Sequence, residues 1–225
     1  MIIMVSEFST IEVTENMNST WYVYICGSIL AYLIGSFSPS YIIAKAKKKD
    51  IRSNGSGNLG ASNTAILIGV KWGVFVGLVD ILKACIPIIC AKFFFSEYTY
   101  LPYVVATCTI LGHIFPFYLK FRGGKGFATF FGSILGLNWL AFIIIGAIFL
   151  VVVWVTDYIV VGTFSTITLF PIYVGITTLN LIFVGIILLA SLVILYKHRE
   201  NIVRIKNREE FGLRESLRGK HKLKD

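Results

Sequence analysis

Charged residues are scarce in this 225-residue chain, at 15% of positions against about 25% in an ordinary soluble domain. From 127 to 196 the one Asp, Glu, Lys or Arg is Asp157, and residues 1–20 hold no Lys or Arg. Apolar residues fill the space, at 56% with a mean hydropathy of +0.77. Nearly uncharged runs, each long enough for a membrane span of about 18 residues or more, recur along the chain. This pattern excludes a water-soluble enzyme, a disordered tail and a disulfide scaffold. It predicts an all-α, polytopic integral membrane protein. Cysteine is also sparse: the four (Cys26, Cys85, Cys90, Cys108) form no CxxC pair and no Cys/His cluster, which leaves zinc and disulfides unsupported.

The charge that is present is informative by position. Lys and Arg gather at 45–52, at 120–125, and ten times between Lys197 and Lys224, within a net charge of +9. Basic clusters stay on the cytoplasmic side, so these three face inward and the acidic N-terminus (Glu7, Glu12, Glu15) faces outward. The start lacks the basic region of a cleavable signal, so Trp21 onward reads as a retained first span.

Apolar stretches at about 21–44, 72–95 and 101–119 are each one crossing. Residues 159–196 are too long for one, and Thr177, Thr178 and Asn180 offer a turn. The stretch 127–155 reads as one tilted helix or two helices broken near 136–138. An outward N-terminus and an inward tail require an odd number, which favours seven transmembrane helices over five. The chain then divides into an extracytoplasmic segment 1–20, a membrane domain 21–206 and a basic cytoplasmic tail 207–225, which suits anionic lipid.

Two polar segments interrupt the apolar pattern on the inner face. One runs from Arg52 through Gly55, Ser56, Gly57, Asn58 and Gly60 to Asn63; the other holds His113, Pro116 and Gly123-Gly-Lys-Gly126, followed by Thr129. Closely spaced glycines can gather backbone N–H groups into an anion-binding nest, and a neighbouring Lys adds a full charge. One such loop alone reads equally well as a tight turn. Two on one face suggest a pocket for two anionic groups, or for one substrate carrying both. Neither segment is a Walker A loop, and neither shows GxGxxG between strand and helix, so nucleotide binding is not implied. His198 and Asn201, at i and i+3 beyond the last span, share a helical face; His198 there reads as a proton acceptor or a phosphate donor, or with its neighbours as a snorkelling juxtamembrane patch. Asp80 and Lys83 read as a structural pair inside the second span, and His113 as a structural histidine.

Together these pieces resemble the bacterial membrane glycerol-3-phosphate acyltransferases that take acyl phosphate as donor, the PlsY type. The matching residues are Gly35-Ser36 with Tyr41, Asp50-Ile-Arg52, Gly55 through Asn63, Asp80-Ile-Leu-Lys83, Gly112-His-Ile-Phe-Pro116, Gly123 through Thr129, and His198-Arg-Glu-Asn-Ile202. The resemblance implies a seven-helix bundle in the bacterial inner (plasma) membrane with its active site facing the cytoplasm. It implies transfer of a fatty acyl group to the sn-1 hydroxyl of glycerol-3-phosphate, giving lysophosphatidate and phosphate. The partners implied are the two substrates and membrane lipid, with no cofactor, metal or nucleic acid. By this resemblance His198 and Asn201 are catalytic. Ser36, Arg52, Gly55, Ser56, Gly57, Asn58, Asn63, Gly123, Gly124, Lys125, Gly126, Thr129 and Thr163 bind substrate, and Asp80, Lys83, His113 and Glu200 are structural.

The chain departs from the family pattern at Ile66, where an Arg is usual, at Asp157 for Arg, at Val160 for Ser and at Ala84 for Gly. Losing an Arg removes a bidentate phosphate donor, so weaker acceptor binding or another acceptor is expected, as in a divergent paralogue. Two other classes compete: a transporter of anionic phosphates and an inactive scaffold paralogue. The polar signals cluster at one face, which argues against a permeation path.

Overall fold

The computed structural model describes residues 20–210 and 212–214, and every regular element among them is helical. Residues 1–19 of the expected outward segment 1–20, and residues 211 and 215–225 of the expected tail 207–225, lie outside the described residues. The helices in chain order are α1 (20–36), α2 (Pro39–Ala46), α3 (Ala61–Leu67), α4 (Val70–Phe94), α5 (Leu101–Ile114), α6 (Phe127–Leu137), α7 (Trp139–Thr156), α8 (Ile159–Thr178), α9 (Leu181–Lys197) and α10 (Arg199–Lys206). A 3₁₀ turn at Phe117–Leu119 follows α5.

Polar side chains in the breaks explain where helices start. Ser38, ahead of Pro39, accepts the N–H of Tyr41 to open α2. Asn138 accepts the N–H of Ala141 at 2.9 Å to open α7, and Asn180 accepts that of Ile182 at 2.9 Å to open α9. The stretch 127–155 is thereby two helices, one of 11 and one of 18 residues. Asp157 and Leu179, both left-handed with φ of 66° and 51°, end α7 and α8.

Five stretches are long and apolar enough to cross a membrane: Thr20–Ala46, Val70–Phe94, Leu101–Leu119, Trp139–Thr156 and Ile159–Thr178. The bent pair α9 and α10 makes a sixth if taken as one span. The sequence reading of seven exceeds this because α6 spans only roughly 16 Å at 1.5 Å per residue, about half of a bilayer core.

Residues facing away from the bundle are as apolar as the core, as Leu150, Val151, Trp154 and Val155 on α7 illustrate. Helices meet through small residues, which let backbones approach closely. A Cβ on Gly112 would lie 2.1 Å from the Tyr32 carbonyl oxygen, and one on Gly132 equally close to that of Ile81. At the far end of the bundle Lys92 donates to the Leu137 carbonyl at 3.0 Å. The polar segments gather at the opposite end.

Candidate active site

The first polar segment folds around one side chain. Asn63 is fully buried; its Nδ2 donates to the carbonyls of Ile51 at 3.0 Å and Asn58 at 3.1 Å, and its Oδ1 accepts the N–H of Ser56 at 3.0 Å. The carboxamide expected to bind substrate is thus committed to shaping the loop. Gly55 and Gly57 sit at φ of +62° and +65°, and a Cβ on Gly55 would fall 2.2 Å from Asn63 Oδ1. What the loop presents outward is Ser56, exposed, with Asn58 half-buried behind it. Arg52 reaches across to the second segment: Nη2 donates to the Leu119 carbonyl at 3.0 Å, and the guanidinium lies 5.6 Å from the Tyr41 ring. Its role in the structure is to clamp the two segments together.

The second segment is laid on the end of α5. Gly123 donates to the Ile114 carbonyl at 3.0 Å and Gly124 to that of His113 at 3.1 Å, so both amides serve the loop's own fold. Close packing demands these glycines. A Cβ on Gly124 would sit 2.0 Å from His113 Nε2. His113 is held in turn by Lys83, whose Nζ is 2.9 Å from His113 Nδ1, 2.8 Å from Asp80 Oδ1 and 2.8 Å from the Phe37 carbonyl. The Asp80–Lys83 pair therefore includes His113, and the three together brace the loop.

Lys125 leaves that loop toward α10. Its Nζ donates to Asn201 Oδ1 at 2.5 Å, while Asn201 Nδ2 donates to Glu210 Oε1 at 2.6 Å. Arg204 Nε donates to the other Glu210 oxygen at 2.7 Å. Burial, aided by the nearby Arg204 charge, pulls the Lys125 ammonium down to about 8. One turn before Asn201, buried His198 places Nδ1 2.8 Å from the Ile194 carbonyl. A carbonyl can only accept, so Nδ1 carries the proton and Nε2 keeps its lone pair. The ring rests edge-on against Phe164 of α8, centroids 6.0 Å apart.

Lys125, His198 and Asn201 thus meet. Thr129, one turn into α6, is buried with its hydroxyl unpartnered among the described residues. Thr163 is buried and donates to the Ile159 carbonyl at 3.1 Å, and Ser36 donates to that of Tyr32 at 2.8 Å. Glu200 is exposed; the carboxylate that organises the site is Glu210. Glu210 lies beyond 206, among the basic residues read as a tail, and its pairing spans nine positions that no helical periodicity connects. Beside the clamp, an open groove of about 780 Å³ is lined by Leu33, Ser36, Phe37, Tyr41, Ile42, Lys45, Ala46, Phe117 and Tyr118.

The family described as glycerol-3-phosphate acyltransferase matches residues 25–208. A glycerol-3-phosphate acyltransferase of Geobacter sulfurreducens is 35% identical over 184 residues, covering 80% of this chain and 93% of that protein. One from Endomicrobium trichonymphae is 39% identical, covering 83% and 94%. Among solved structures, the glycerol 3-phosphate form of PlsY, an integral membrane glycerol 3-phosphate acyltransferase, superposes with a TM-score of 0.80 at 30% identity. It covers 86% of this chain and 98% of that one. The lysophosphatidic acid form of that enzyme gives 0.78 at 29%.

Proposed function

The chain belongs to the glycerol-3-phosphate acyltransferase family, and we propose that it moves a fatty acyl group from acyl phosphate to the sn-1 hydroxyl of glycerol-3-phosphate. The observation that carries this reading is the Lys125–Asn201 bond, which joins the glycine loop to the helix bearing His198. It sets a cation beside a histidine whose Nε2 is free to accept a proton.

The donor is an activated mixed anhydride, so no enzyme nucleophile is needed; positioning, charge neutralisation and proton removal suffice. The acceptor oxygen attacks the acyl carbonyl, its proton passing to His198 Nε2. The carbon–oxygen bond to phosphate breaks, and inorganic phosphate leaves against Lys125. Asn201 orients the hydroxyl, and Ser56 and Thr129 offer hydroxyls to phosphate oxygens. The groove beside Arg52 takes the acyl chain: its walls are Leu33, Phe37, Ile42, Ala46 and Phe117, and Lys45 and Tyr118 stand in the same lining.

The proposed setting is the bacterial inner membrane, crossed seven times with α6 as a short pass, the N-terminus outside and the site in the cytoplasm. The three basic clusters support that orientation. A reporter cysteine at Asp157 should be labelled from the cytoplasmic side; labelling from outside alone would restore five crossings. The reaction is tested with purified protein in detergent, acyl phosphate and labelled glycerol-3-phosphate, with acyl-CoA and acyl carrier protein donors in parallel. Lysophosphatidate formed together with phosphate is expected. Transfer from acyl-CoA alone would overturn the donor.

A further inference from the structure

Asp157 stands out in the sequence as an acid in a turn where the family places an Arg, and it is the one formal charge between 127 and 196. Its structural partners are far along the chain. The Asp157 carbonyl accepts the N–H of Leu213 at 2.7 Å, and Oδ1 accepts the N–H of Arg214 at 2.9 Å. The Arg214 guanidinium donates from Nη2 to the Trp154 carbonyl at 2.8 Å, capping the last turn of α7, and its Nε lies 3.9 Å from the carboxylate. Gly212 lies directly over that carboxylate, where a Cβ would come within 2.2 Å of Oδ2. The ion pair is largely exposed and weak by itself. The anchor is the ionised acceptor on a backbone N–H, a charge-assisted bond.

Between α10 and this anchor the chain reverses. Arg208 adopts a left-handed φ of 60°, and Glu209 donates to the Arg204 carbonyl at 2.8 Å. The reversal carries Glu210 back onto the face of α10 that bears Asn201 and Arg204. A non-glycine residue in that conformation works against the turn, so the turn needs outside support. Support arrives three residues beyond Glu210, where Leu213 bonds to Asp157.

We propose that Asp157 is a positioning residue: by fixing residues 212–214 to the α7–α8 turn, it holds Glu210 on Asn201 and so keeps the Asn201 carboxamide oxygen turned toward Lys125. Because Glu210 takes the amide nitrogen, the oxygen is left for the ammonium. A released strap frees the amide to rotate. The same turn begins α8, whose Phe164 touches His198, so one anchor steadies both groups proposed to handle the acceptor hydroxyl.

The activity arm of the test rests on the acyl-transfer reading above; the proteolysis arm does not. Full-length protein in detergent is compared with Asp157→Ala, Asp157→Asn, Glu210→Ala and the Asp157→Ala/Glu210→Ala double variant. Asp157→Ala should lower kcat about tenfold with both KM values within about twofold. The double variant should be no slower than Glu210→Ala alone, since both changes break one linkage. Asp157→Asn still accepts the Arg214 N–H and should stay within about threefold of the unmodified enzyme. Limited trypsin digestion, read by the mass of the membrane fragment, should cut after Lys206 or Arg208 at least about fivefold faster in Asp157→Ala. An unchanged cutting rate overturns the anchor. Faster cutting with unchanged kcat, or effects of the two substitutions that multiply, overturns the positioning role. Absence of transfer by the unmodified protein counts against the reaction, and the cutting rates then decide the anchor without it.

Discussion

Two lysines stand at the same end of this bundle, each beside a histidine and a carboxylate, and they are held in opposite ways. Lys83 is buried, and its ammonium lies within 2.9 Å of Asp80, the Phe37 carbonyl and His113. Lys125 is half-buried, and among the described residues its hydrogen-bond partner is the neutral Asn201. Glu210, the nearby acid, faces Asn201 and Arg204 instead. A buried charge whose bonds are complete fixes structure, because any rearrangement leaves an uncompensated ion. A partly desolvated cation with protons to spare has something to offer an anion. The two centres are linked through the glycine loop, which rests on His113 at one end and projects Lys125 at the other.

The largest effect that would break the contrast is on stability. Lys83→Ala leaves Asp80 buried without its ammonium, with the His113 ring 3.4 Å from Oδ1 as a poor substitute; this should cost about 3–5 kcal/mol and lower the melting temperature and the yield of inserted protein. The Asp80→Ala/Lys83→Ala double variant should be less harmful than Lys83→Ala alone, because it removes the orphaned charge as well. A Lys83→Ala protein that melts like the unmodified one would end the structural reading of this pair. Lys125→Ala should do the reverse. Melting should hardly change, while loss of a charged substrate contact of about 2–5 kcal/mol cuts acyl transfer by at least about 30-fold. Near-normal turnover in a folded variant would remove Lys125 from the site.

The sequence made the second lysine easier to read than its surroundings. A Lys framed by Gly123, Gly124 and Gly126 at a basic membrane boundary already points to an anion, and the i, i+3 spacing of His198 and Asn201 already puts them on one face. Length left the stretch 127–155 open to one tilted helix or two; the parity of the crossings favoured the break near 136–138, where Asn138 supplies the cap. The roles of Asn63, Gly124 and Glu210 were hidden for a common reason. Each is set by atoms that only the folded chain brings near: two carbonyls and an amide around one carboxamide, an imidazole under a glycine, an acid returned to its own helix by a turn. Such residues look like ligands, nests or solvated tail until their partners are in place.

Ile66 sharpens the comparison from the acceptor side. It lies half-buried on α3, one turn beyond Asn63, where the family pattern has an Arg. Ile66→Arg adds a further cation at this end of the bundle. One new charge-assisted bond of roughly 1.5–3 kcal/mol should lower KM for glycerol-3-phosphate by about 10- to 150-fold while KM for acyl phosphate stays put. Melting temperature is followed alongside, since an Arg without a partner would destabilise the helix. A stable variant with an unchanged acceptor KM would mean that the acceptor is bound by other residues.

The smallest effect needs no substitution. Burial and the neighbouring Arg204 lower the Lys125 pKa to about 8, so the ammonium is intact at neutral pH and disappears as pH rises through that value. Substrate phosphates gain negative charge over the same range, and their demand for a cation does not fall. The free-enzyme kcat/KM should therefore decline on the alkaline side, by about fourfold between pH 7 and 8.5, approaching tenfold per unit above pH 9. Lys125→Arg gives the control, because a guanidinium stays charged throughout: its residual activity should be flat where the unmodified enzyme declines. A profile level to pH 9 in the unmodified enzyme would show that the Lys125 charge is not what binds the phosphate.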